Sequence, residues 1–375
     1  MPPLPWRPPG CDRIALVLQG GGALGAYQVG VFEGLHEAGL EPDWIAGVSI
    51  GGINAALIAG NTPENRLDAL TEFWNTVTVR PVWGFRPQGD NLRKLHNLWS
   101  STTTAALGQP GFFTPNLVSP WLQPRGAPGA TSFYDNAQLR ETLLRLVDFD
   151  RINDGSIRFA VGAVEVATGN FAYFDNAKTV IIPEHVIASG ALPPALPMTE
   201  IGAYSYWDGG LVSNTPLQHL LDNIRDQNAL VFQIDLFSAQ GALPRDMMEV
   251  LGRIKDIQYS SRTRLTTDVY RQLYALRVQL RSLLERMPDD TLTDADRQAR
   301  RELAALPAVT IIQMIYQEAV YEGQAKDYDF SRSSMRDHRA AGLRDTRMTL
   351  ERRDWLAMPT PGEGIVTHDI HRVEA

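Results

Sequence analysis

The chain reads as an α/β protein with a mostly parallel central sheet, followed by a mainly helical C-terminal extension. Three observations lead there. Short apolar runs suited to buried strands, Ile14 to Leu18, Asp43 to Val48 and Leu230 to Leu236, alternate with segments of helical composition. Glycine-rich turns stand at the carboxyl ends of the first two runs, where open α/β sheets place their sites. The length, 375 residues with 44% hydrophobic and 21% charged, suits one large domain plus an appendage.

The elements follow in order. Residues 1–11 are proline-rich and read as an extended tail, unable to form the apolar helix of a signal peptide. The strand ending at Leu18 runs into Gln19-Gly20-Gly21-Gly22-Ala23-Leu24-Gly25, and a helix follows from about 26 to 38. Consecutive glycines leave bare N–H groups converging on a small volume, a nest for a phosphate or an oxyanion. Gly20, Gly22 and Gly25 also spell a dinucleotide fingerprint. That reading needs an acidic residue at the end of the next strand. Asp43 lies at the beginning of that strand instead, so the oxyanion loop is preferred and no cofactor is assigned.

The next strand ends in Gly47-Val48-Ser49-Ile50-Gly51, and residues 50–59 have helical composition. A serine at such a strand–turn–helix junction is forced outward, with the positive end of the new helix behind it. The uncharged stretch from Trp44 to Pro63 is nominally long enough to span a bilayer. Its glycines, Ser49 and Asn54 mark an elbow and a buried core helix instead. A helix from Thr62 to Val77 carries Leu67, Leu70, Phe73, Trp74 and Val77 on one face.

From 80 to 131 proline, glycine and aromatics accumulate, including Trp83, Phe85, Trp99, Phe112, Phe113 and Trp121. This is read as a lid or packed insertion, with transient membrane-surface contact as one role and plain core packing as the other. Beyond it come a helix at 137–147, a hairpin of Ile157–Val166 with Phe171–Phe174, and Tyr206-Trp207-Asp208-Gly209-Gly210 ahead of a helix near Pro216.

The glycine loop, the Gly-x-Ser-x-Gly elbow and the Asp-Gly-Gly together resemble the patatin-like phospholipase family over residues 12 to 240. Ala188-Ser189-Gly190-Ala191-Leu192-Pro193-Pro194-Ala195-Leu196-Pro197 also resembles the apolar segment that precedes the family's aspartate. The resemblance implies a three-layer α/β/α fold of the patatin or lysophospholipase kind. It implies Ser49 as nucleophile and Asp208 as general base, without a histidine. It implies oxyanion donors among Gly20, Gly21 and Gly22, with Gly25, Gly47, Gly51, Gly209 and Gly210 supporting the motifs. Its substrate is a lipid or other acyl ester. Where the family commonly has Arg or Lys, this chain has Leu24.

The residues agree with a dyad. A histidine following the acid is expected of an α/β-hydrolase. The histidines after Asp208 are His219, read as packing or surface, and His338, His368 and His371 in a charged C-terminal region. His368 and His371 lack a third ligand, so no metal is assigned. The competing readings are an esterase or depolymerase acting on short hydroxyacid esters, and a non-catalytic lipid-binding or scaffolding module.

The formal charge of −8 argues against nucleic acid, and the single Cys11 suits a reducing, cytoplasmic compartment. Asp235, near the end of its strand, is read as held by a turn. In the extension, 241–375, Met247 to Met287 reads as a long helix or helix pair and Thr310 to Tyr316 as a strand. Ser331 to Trp355 reads as an arginine-rich helix, a solvated face laced with Asp337, Asp345 and Glu351, with docking on anionic lipid or a partner as the other reading.

Overall fold

The computed structural model describes residues 6–78, 104, 106–224, 227–304, 306–317, 322, 326–360 and 363–371. Nine of its strands form one sheet: β1 (Arg13–Leu18), β2 (Trp44–Val48), β3 (Arg158–Glu165), β4 (Phe171–Asp175), β5 (Thr199–Ile201), β6 (Tyr204–Asp208), β7 (Ala229–Asp235), β8 (Val309–Ile315) and β9 (Ile365–Asp369). The order is β9-β8-β7-β1-β2-β3-β6-β5, with β4 also paired to β3. The strands from β9 to β3 pair in parallel, and β4, β5 and β6 join through antiparallel pairings.

The helices of seven residues or more are α1 (Ala26–Glu37), α2 (Ile50–Ala59), α3 (Arg66–Thr76), α4 (Ala137–Leu146), α5 (Pro183–Ser189), α6 (Leu217–Asn223), α7 (Met247–Tyr259), α8 (Thr263–Arg286), α9 (Asp294–Glu302) and α10 (Arg332–Glu351). They cover both sheet faces, because side chains alternate along a strand. Ile14, Leu16 and Leu18 of β1 pack with α1, α2 and α3, whereas Ala15 and Val17 pack with Leu217, Leu220 and Leu221 of α6. The result is the three-layer α/β/α arrangement. The uncharged run after Trp44 becomes β2 and α2, and every residue of α2 is buried.

The C-terminal region is mainly helical, and it also completes the sheet. β8 pairs with β7 from Val309–Ala229 to Ile315–Asp235, and β9 closes that edge. Met247 to Met287 divides into the pair α7 and α8. The arginine-rich α10 keeps Arg344 and Arg347 largely exposed, with Arg344 3.5 Å from Asp345. It lies along α1, with Arg339 and Arg347 paired to Glu33 and Glu37 at 2.8 Å. Asp345 is turned inward and accepts a hydrogen bond from the buried Tyr27 hydroxyl at 3.0 Å. A sequence shows the arginines but not the acidic helix opposite them.

Of the aromatics expected in the 80–131 insertion, Trp83, Phe85 and Trp99 lie outside the described residues. Phe112 and Phe113 are buried, and Trp121 is 86% exposed.

Candidate active site

Two strand ends meet over β3. Val48, the last residue of β2, pairs with Gly162, and Asp208, the last residue of β6, pairs with Ala163. β4 occupies the other edge of β3 across these positions. β2 and β6 therefore approach the same edge from opposite directions and end nose to nose, placing residue 49 beside residue 208.

Ser49 opens α2 with φ 55° and ψ −127°, the one positive φ at a non-glycine residue among the described residues. A side chain held in this conformation is strained, and the surroundings must impose it. They do so from three sides. A Cβ at Gly51 would overlap the Leu18 carbonyl, so β1 and α2 close tightly around the turn. The Ser49 N–H donates to the Ser189 carbonyl at 3.1 Å and to the Ser189 Oγ at 3.0 Å. Ser189 in turn donates from Oγ to the Gly162 carbonyl at 2.7 Å. Sequence reading singled out the segment around Ser189 for its apolar character and missed this clamp. The signal was a hydroxyl in an otherwise apolar run, which inside a core must find partners.

Asp208 is 2% exposed. Its carboxylate lines the same cavity as Ser49 and accepts from the Gly210 N–H at 2.7 Å. Burial pushes its pKa up to about 7, against the lowering effects of the Ser49 hydroxyl and the Gly210 N–H. A carboxylate tuned in this way holds or releases a proton near neutrality, and it shares its cavity with Ser49.

Gly20, Gly21 and Gly22 line the same cavity as Ser49, Asp208 and Gly210. They are not equivalent. The Gly20 N–H already donates to the Asn214 carbonyl at 3.3 Å, which counts against the expected oxyanion role for that residue. The Asn214 side chain donates back to the Gly20 carbonyl at 3.0 Å, tying loop to loop. Beneath the loop, the Gln19 side-chain oxygen accepts from the N–H groups of Leu236 and Phe237 at 2.6 and 3.0 Å. Gly25 lies under Ile50, Gly47 against the backbone of Gly51 and Gly52, and Gly209 against Gly162 and Val48.

The cavity opens onto about 830 Å³ of empty space. Its walls are Phe112, Phe113 and Tyr134 on one side and Leu192, Ala195 and Leu196 on another. The roof comes from the C-terminal region, a contribution the sequence did not reveal. α7 supplies Lys255 and Tyr259, and the segment at 326–330 supplies Asp327, Tyr328 and Phe330. Two reciprocal ion pairs fasten these pieces, Lys255 to Asp327 and Lys326 to Asp256, each at 2.8 Å.

The remaining sequence candidates lie elsewhere. His219 is buried on α6, 3.1 Å from Asp175 and stacked on Tyr173, which is the packing role expected of it. Asp235 is fully buried and accepts from Ser261, Gln233 and Gln313 at 2.7, 2.7 and 2.8 Å, linking β7 to the C-terminal region. His338 is buried behind the glycine loop against Glu322, and His368 stacks on Trp355. Among the described residues no three His, Cys, Asp or Glu side chains are placed to hold a metal ion. None of their helices is long and apolar enough to cross a membrane.

Comparison with known proteins gives a consistent picture. A family model described as patatin-like phospholipase matches residues 16–221, and one described as patatin phospholipase matches 257–362. Lysophospholipase nte1 of Aspergillus terreus is 56% identical over 50 residues, 13% of this chain and 3% of that protein. Patatin-like phospholipase domain-containing protein 6 of Mus musculus is 43% identical over 74 residues, 19% of this chain and 6% of its own length. The matched stretches are thus a small part of these relatives. The crystal structure of VipD from Legionella pneumophila aligns over 91% of this chain and 67% of its own, with 15% identity and a TM-score of 0.40.

Proposed function

This chain belongs to the patatin-like phospholipase family, and on that premise we propose that it hydrolyses lipid acyl esters with Ser49 as nucleophile and Asp208 as its base. The observation that carries the reading is a buried carboxylate lining the same cavity as a serine on a strained elbow.

Ser49 Oγ attacks the ester carbonyl while its proton passes to the Asp208 carboxylate. The carbonyl oxygen becomes an oxyanion facing the N–H groups of Gly21 and Gly22. Collapse of the tetrahedral intermediate breaks the ester C–O bond, and Asp208 returns the proton to the departing alkoxide. Water then attacks the acyl-serine, giving one proton to Asp208. The second collapse releases the fatty acid and restores the serine. The near-neutral carboxyl suits both directions of transfer. The aromatic and aliphatic walls suit an acyl chain, and a panel of acyl lengths separates lipid esters from short hydroxyacid esters. A single, buried Cys11 fits a reducing compartment such as the cytoplasm.

A fluorophosphonate probe read by intact mass tests the assignment. The wild-type chain is expected to gain one phosphonyl adduct and Ser49→Ala none, with turnover reduced by roughly 10⁴-fold or more. Full labelling or retained turnover in Ser49→Ala overturns the reading.

A further inference from the structure

No charged residue stands between Arg13 and Glu33, so the glycine loop has none of its own. A charge reaches it from the C-terminal region instead. His338 on α10 is 2% exposed and has both ring nitrogens engaged. Nδ1 lies 3.4 Å from the Ala23 carbonyl, one residue beyond Gly22, and Nε2 lies 2.6 Å from Glu322 Oε1.

Both of these partners are acceptors. A neutral imidazole carries one N–H and can serve only one of them, whereas the imidazolium donates to both. The geometry therefore calls for the charged form. Its counter-ion is held in turn. The Tyr316 hydroxyl donates between the two Glu322 oxygens, at 2.7 and 2.8 Å, and the Tyr316 ring stands edge-on to the imidazole with centroids 5.1 Å apart. Tyr27 of α1 packs on Tyr316, its own hydroxyl turned to Asp345. Asp329, just ahead of α10, is a second carboxylate facing the ring and accepts from the Ser331 N–H and the Ser334 hydroxyl. Arg339, the next residue of α10, is turned to Glu33. Burial works against the charged ring, but Glu322 and then Asp329 outweigh it and hold the His338 pKa above its ordinary value.

The imidazole bridges the loop and Glu322, so the pair presents its positive end to the loop. Ala23 belongs to the tight turn Gly22–Gly25, and its carbonyl also takes the Ala26 N–H at the start of α1. Holding that carbonyl fixes the turn from behind. Fixed donors with positive charge behind them favour an oxyanion in front.

We infer that His338, as an imidazolium held by Glu322, is a positioning residue that anchors the oxyanion loop through the Ala23 carbonyl and sets positive charge behind it. The inference rests on the proposed acyl-ester chemistry at Ser49, and its test separates the two. NMR of the full chain labelled with ¹⁵N-histidine is recorded at about pH 7.5, where an ordinary histidine is mostly neutral. The signal lost in His338→Gln identifies the ring. Both of its nitrogens are expected to be protonated in the wild type, and only one in Glu322→Gln. On a soluble short-chain ester, His338→Gln and Glu322→Gln should each lower kcat about 10-fold or more with KM within about 3-fold. Labelling of Ser49 by the fluorophosphonate should slow in parallel. The double variant should lose no more than either single one, because the two side chains act as a unit. Rates are referred to the folded fraction measured by circular dichroism, since a merely structural pair would lower the melting temperature and leave the kcat of folded protein intact. The inference is overturned by a neutral His338 in the wild type, by either single variant keeping kcat within about 2-fold, or by additive losses. Full labelling of Ser49→Ala strikes the catalytic reading whatever the imidazole spectrum shows, whereas wild-type kinetics in His338→Gln strike this inference alone.

Discussion

The floor and the roof of the cavity are built by different physics. The floor, formed by the glycine loop, Ser49 and Asp208, is backbone work. Strand ends abut over β3, the Ser49 N–H is clamped by Ser189, and glycines allow chain segments to touch. The roof, formed by α7 and the 326–330 segment, is side-chain work. α7 has no fully buried residue and is fastened through the pairs Lys255–Asp327 and Lys326–Asp256, and through hydrogen bonds from Asn214 to the Tyr259 carbonyl and from Arg253 to the Ser238 and Ala239 carbonyls. A floor made of backbone has no alternative packing, so damage there should remove chemistry. A roof made of long side chains tolerates change, and damage there should alter stability and substrate binding.

The largest effect is expected at the floor. Asp208→Asn keeps the shape but cannot take a proton, and turnover should fall about 10³-fold or more. In the wild type, kcat/KM should rise with pH through about 7, as Asp208 ionises. Stability should move the opposite way. Because the folded pKa is raised above its unfolded value, the folded state binds more protons between about pH 4 and 7, and unfolding free energy declines as pH rises through that window. Asp208→Asn lacks this decline, so thermal melts should find it more stable than the wild type at pH 8 and nearly equal at pH 4. Equal melting temperatures at both pH values, or full activity, would contradict the floor as described.

The junction of floor and roof is expected to respond next. Gly22 has φ +54°, and a Cβ there would overlap the Asp327 carbonyl. Gly22→Ala should cost about 1–3 kcal/mol in chemical denaturation. It should also slow labelling of Ser49, because relief of the overlap must move either the oxyanion loop or the 326–330 segment. An unchanged denaturation midpoint would mean that floor and roof are not in contact there.

The smallest effect is expected at the roof itself. Lys255→Met leaves the largely buried Asp327 without that cation, and Asp327 already has its pKa raised by burial. Stability should fall by about 1–3 kcal/mol, while kcat on a soluble short-chain ester stays within a few-fold. Lys255→Met/Asp327→Asn should recover part of the loss in a double-mutant cycle. A collapse in kcat with unchanged stability would make the roof part of the chemistry and erase the contrast.

How much was legible depended on how local the cause was. The elbow at Ser49 could be read because an apolar strand, two glycines and a helical run are contiguous. The aspartate could be paired with it only through the family resemblance, since nothing within residues 204–210 names a partner at 49. The role of Ser189 could not be read, because its hydroxyl meets an N–H 140 residues away. Gly20 was misjudged for the same reason: the sequence displays its N–H, and the fold sets the Asn214 carbonyl against it. The arginines of α10 could be read as largely solvated, but not their pairing with Glu33 and Glu37 of α1, some 310 residues away.

The sequence by itself determined the α/β class, the strand-to-helix turns and the chemical types at positions 49 and 208, because apolar periodicity and glycine spacing act over a few residues. Only the tertiary structure decided that the Gly20 N–H is taken by the Asn214 carbonyl, that β2 and β6 end against consecutive residues of β3, and that the C-terminal region roofs the site. Those outcomes depend on sheet register and on segments remote in the chain, and no local propensity encodes the distance between them.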